Sequence, residues 1–140
     1  MKPIKYYIVE ILQSLCGKVD DLGICDSVYA EHRPTGHGEQ SDRMVVVSIP
    51  TQIVDNSAYQ RAGINIHIIA RNRDGGISAT DELQAMLDGI IGLFPITERR
   101  YTVTSPNLIF KGDDELGFTV WVVNANLVIN TTDRLIYGGE

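Results

Sequence analysis

Lysine is missing from most of this chain: none occurs between Lys18 and Lys111. That gap removes the residue that reaches the phosphates in a P-loop. A formal charge of −6 likewise argues against a domain that grips nucleic acid through a basic face. Cysteine is almost as scarce. Cys16 and Cys25 match no zinc-ligand spacing, and Cys16 falls on an apolar helical face, so both read as buried or half-buried thiols rather than a disulfide. No apolar run approaches the ~18 residues of a membrane span. Near the start, Glu10 and Gln13 interrupt the apolar positions, and no small-residue cleavage site follows. The expectation is a protein made and kept in a reducing cytoplasm. The three-glycine dinucleotide fingerprint and the G-x-S-x-G nucleophile elbow are absent too.

What the sequence does hold is a well-patterned core. At 140 residues the chain fits one domain large enough to need neither metal nor disulfide, and 44% apolar with 21% charged residues is ordinary for a globular protein. Ile4, Tyr7, Ile8, Ile11, Leu12 and Leu15 recur at helical spacing, which predicts an amphipathic helix ending near Gly17. "ICDSVYAEH" reads as a short strand, and "RPTGHGEQS", Arg33 to Ser41, as a mobile loop. "DRMVVVSIPTQIV" resumes as a strand that Pro50 ends or bulges. "YQRAGINIHIIARN" is the cleanest strand, with Ile64, Ile66, Ile68 and Ala70 on one face. Leu83, Met86, Leu87, Ile90, Ile91 and Phe94 form the stripe of a second helix closed by Pro95. Two further strands, "YTVTSPNLIFKG" and "ELGFTVWVVNANLVIN", are joined across "GDDELG". The expected fold is one α+β domain, 1–140, in the order α-β-β-β-α-β-β, with two helices on a mostly antiparallel sheet of about five strands. Residues 133–140 form a C-terminal tail.

Candidate sites each meet a simpler reading. In "RNRDGGISATDEL", Arg71 to Leu83, paired glycines lead into a helix as in an anion-binding loop. Yet Asp81 and Glu82 already stand where a phosphate would sit, and Ser78 is placed to cap the helix by accepting from the amide of residue 81. The stretch therefore reads as a structural turn. His32 and His37, with Glu31 and Glu39, flank a loop that would have to be organised before it could hold a metal. His67 reads as a polar-face strand residue. Asp113, Asp114 and Glu115 read as a solvated turn. For nucleophilic catalysis the candidates Cys16, Cys25, Ser48 and Ser105 lack any supporting context. No catalytic, cofactor-binding or metal-ligating residue is assigned, and the chain is expected not to be an enzyme.

One surplus remains. From Phe118 to Val123 the last strand is apolar on both sides: Phe118, Val120 and Val122 on one, Trp121 and Val123 on the other. A sheet with one solvated face needs only a single apolar row. The tail carries Leu135, Ile136 and Tyr137, which a free polar tail does not need. Arg71 and Arg73 are positioned to meet an acidic neighbour. The candidate subunit or partner contacts are therefore Arg33, His37, Arg71, Arg73, Asp113, Asp114, Phe118, Val120, Leu135, Ile136 and Tyr137.

The long strand "RAGINIHIIARNRDGG", the helix "SATDELQAMLDGIIGLF" and the closing strands "YTVTSPNLIFKGDDELGFTVWVVNANLVIN" resemble the tail-terminator and tail-completion proteins of long-tailed bacteriophages and prophages. The resemblance spans nearly the whole chain and is one of layout and length. It implies an α+β subunit that assembles into a ring, commonly a hexamer, which caps the tail tube and supports head–tail joining. The implied partners are other copies of the chain, the tail tube protein and the head-completion (connector) proteins, with DNA passing through without specific binding. The implied location is the virion, at the head–tail interface, with no cofactor and no membrane. A small ligand-binding or regulatory α+β domain is the alternative, and a metal-dependent hydrolase a more distant one.

Overall fold

The computed structural model describes residues 4–34 and 40–131. Helix α1 spans Ile8–Asp21, followed by strands β1 (Ser27–Ala30), β2 (Arg43–Ser48), β3 (Ile53–Asp55) and β4 (Tyr59–Arg71). Helix α2 spans Thr80–Ile91, and β5 (Ile96–Thr97), β6 (Tyr101–Asp113) and β7 (Phe118–Asn130) complete the order. The α+β class is as expected, but the sheet is not an antiparallel one of five strands. It has seven, in the order β1-β2-β4-β7-β6-β5, with β3 also paired to β4. Pro50 lacks an amide hydrogen and falls between β2 and β3, so the expected single strand becomes two. The two-residue β5 is too short to leave a period. The sheet is mixed because β1 runs parallel to β2.

Alternation along the strands sorts the side chains onto two faces. Val45, Val47, Ile64, Ile66, Ile68 and Ala70 join Val123, Ala125, Leu127 and Ile129 in one buried cluster with the apolar stripes of both helices. From α1 that stripe is Ile11, Leu12, Leu15 and Val19; from α2 it is Leu83, Met86, Leu87 and Ile90. Helix α1 runs past Gly17 to Asp21, and Ile4 precedes it, exposed. A glycine in the interior of a helix costs only ~1 kcal/mol, which burial of Val19 on the following turn offsets. Gly89 lets α2 approach the segment after α1: a Cβ there would lie 3.0 Å from Ile24 Cγ2.

The Arg71–Leu83 stretch is a turn, as its composition implied, although its capping differs from the expectation. Gly75 and Gly76 take φ of 80° and 77°, which a side chain would oppose. The N-cap of α2 is Ala79, without a side-chain cap hydrogen bond. Ser78 instead shares a 2.8 Å hydrogen bond with Thr119, whose hydroxyl also donates to Asn72 Oδ1 at 2.6 Å. A hydroxyl on the sheet thus takes the oxygen that would have capped the helix, tying the turn to β7.

Candidate functional site

The outer face of the sheet, opposite the helices, holds a second and smaller core. Met44, Val46, Ile69 and Phe118 are buried there, with Tyr29 and Val120 packed beside them. Among the described residues no helix covers this face. Two guanidinium groups do: Arg33 lies 5.0 Å and Arg71 4.6 Å from the centre of the Phe118 ring. Each is held in place by a carboxylate, Arg33 by Asp114 and Arg71 by Asp42 at 2.6 Å. Stacking of a planar cation on an aromatic face screens the apolar cluster while keeping charge at the surface. Asp114 also accepts the backbone amides of Leu116 and Phe118. Burial raises its carboxyl, but Arg33 and these amides outweigh that, so its pKa falls below the ordinary value.

This arrangement accounts for several candidate residues. Arg33, Arg71, Asp114, Phe118 and Val120 converge on one patch, where they close the outer face of their own chain. Arg73 stands apart, paired with Asp81 and close to Glu82 at the start of α2. Asp113 accepts from Asn72 and from the amide of Glu115. His37, Leu135, Ile136 and Tyr137 lie outside the described residues. Among the described residues no three His, Cys, Asp or Glu side chains converge as metal ligands. Cys16 and Cys25 are free and half-buried, and burial pushes both thiols up. Burial also lowers the pKa of His67, with Lys111 adding to the effect.

One exposed apolar feature was not singled out in the sequence. β6 is 13 residues long, yet its outer neighbour β5 pairs only with Thr102 and Val103. Beyond that point Leu108, Ile109 and Phe110 are 37%, 42% and 67% exposed. They stand opposite Val123, Val122 and Trp121 respectively, so the row is apolar on both faces of the sheet. Phe110 meets Trp121 edge-to-face at 5.2 Å. Register shifts between Thr104 and Asn107 and between Phe110 and Gly112 bracket the segment. The signal was there to read: "LIF", Leu108 to Phe110, is apolar without alternation, a pattern that belongs to central strands rather than edges.

No family model and no curated protein matches the chain. Among solved structures, one whose name carries no functional description aligns with a TM-score of 0.54 at 10% identity, over 89% of this chain and 95% of that one. The likeness concerns the fold alone. It extends over almost all of both chains.

Proposed function

We propose that this chain is a structural subunit that assembles with copies of itself, and that its assembly is a ring of the tail-terminator kind. The observation that carries the reading is the uncovered edge of β6. Apolar residues on both faces of an edge strand cannot be buried by a partner resting on one side. They are buried when another strand is added, because each face then gains cross-strand neighbours. Natural edges are blunted by charge and bulges. Lys111 and the two register shifts blunt this one against indiscriminate pairing, but Leu108, Ile109 and Phe110 are left out.

Ring formation requires a heterologous contact, the β6 edge of one copy against a different edge of the next. The β1 edge at the opposite end of the sheet supplies it. Pairing of β6 with β6 would close a two-fold dimer instead. The tube and connector contacts that the family resemblance implies belong to the same proposal, as does location in the virion. A closed outer face and an acidic charge of −6 suit a subunit that DNA passes without sticking. Phe110→Lys is the direct test: wild type is expected to assemble, and the variant to remain a folded single chain. If the two have the same mass, the edge is not the contact.

A further inference from the structure

A groove of about 320 Å³ opens where the chain leaves β1, the strand at the far end of the sheet order from β6. Tyr6 and Ile8 from the start of α1 wall it on one side, Ile49 and Ile53 on the other, and it reaches down to Leu12 in the core. Tyr6 and Ile8 are 49% and 41% exposed, so the groove is both apolar and open. Glu31 lines it too. Its amide still donates to the Val47 carbonyl at 2.8 Å, while its φ of 72° turns the chain out of the strand.

The sheet register relates this groove to the open edge. Ala30 pairs with Val47, Val47 with Ile66, Ile66 with Val123, and Val123 with Leu108. Paired residues share a face. Leu108 and Phe110, opposite Val123 and Trp121, therefore lie on the helix side, the side on which α1 packs. A heterologous contact repeats each copy in the same sense. The helix side of one β6 edge then meets the helix side of the next copy's β1 edge, with the two strands antiparallel. A stagger of about two residues keeps every side chain on its face, because the period of a strand is two. It sets Phe110 beside Ala30 and carries Leu108 past the end of β1, over the groove. Lys111 comes within diagonal reach of Glu31. Neither Lys111 nor Glu31 makes an ion pair among the described residues of its own chain.

We infer that this groove is the socket for β6 of a second copy: Leu108 enters it, Phe110 covers its mouth beside Ile8, and Lys111 pairs with Glu31. The inference rests on the assembly through β6 proposed above and names the surface that receives it. Apolar burial supplies the attraction, and the single charge pair selects the stagger.

Two variants, each lacking one half of the contact, test this by light scattering. Phe110→Lys disables the edge and keeps the groove; Ile8→Lys with Glu31→Lys disables the groove and keeps the edge. Each alone should stay at 15.5 kDa, and their mixture should reach twice that mass and no further, because only one productive contact remains per pair. Glu31→Lys by itself should raise the dissociation constant about tenfold or more, through like charges brought together. Adding Lys111→Glu to it should restore assembly. A groove variant that assembles like wild type overturns the inference and leaves assembly through β6 standing, as does a mixture that stays at 15.5 kDa while wild type forms rings. A wild type that never associates overturns both.

Discussion

Two side chains carry the clearest pH dependence. Asp114 has a folded pKa below its unfolded value, set against burial by Arg33 and two backbone amides. Its contribution to stability is therefore complete above the unfolded value near 3.8 and is lost as pH falls through the lower folded value. Asp114→Asn should cost about 1.5–3 kcal/mol at neutral pH, the worth of hydrogen bonds to a charged acceptor. Denaturant titrations should show that cost shrinking below pH 4. A difference that stayed constant down to pH 2 would mean that the carboxylate charge contributes nothing. His67 has a folded pKa below the ordinary 6.5, through burial first and Lys111 second. The unfolded chain then binds the proton more readily, so stability falls as pH drops through 6.5. His67→Gln should flatten the stability profile between pH 7 and 5. An unchanged slope in that variant would place the pH dependence elsewhere. Residue roles were the least legible part of the sequence. Arg71 read as a cation for an acidic neighbour, because nothing in its local pattern shows that Phe118, far along the chain, comes to lie beneath it.

At the scale of elements, periodicity was a good guide wherever one face was buried against helices. The 13-residue β4 and the middle of each helical stripe follow their patterns, since a register slip would turn every apolar side chain to the wrong face, whereas Ile4, Ile8 and Ile91 of the expected stripes are exposed. It failed for β3 and β5, whose three and two residues are shorter than any period. It also failed at Ser78, where a hydroxyl across the fold outcompeted the local cap. Ser78→Ala should therefore lower stability by removing the bond to Thr119, about 0.5–1.5 kcal/mol. Helix content by circular dichroism should be unchanged, and a loss of helix would restore the capping reading. β6 makes the opposite demand on substitution. Phe110→Lys removes one aromatic contact with Trp121, worth about 0.5–1.5 kcal/mol, and should leave a cooperative thermal transition. Its larger effect belongs to assembly.

For the whole molecule, the helices leave one sheet face to be closed by other means, and most of the β6 edge unpaired. Arg33, Arg71 and their carboxylates close the outer face near Phe118 with residues of the same chain. The surplus apolar surface read from the last strand is thus spent largely inside the subunit. What stays open is the β6 edge, visible only once β5 is seen to cover so little of it. Assembly through that edge is the central claim, and absolute mass by light scattering, with images of the same sample, tests it most directly. The expected result is a wild-type mass above twice 15.5 kDa and a closed ring in the images, with Phe110→Lys returning to 15.5 kDa. A wild-type protein that stays at 15.5 kDa at every concentration, or stops at a dimer, would contradict the account.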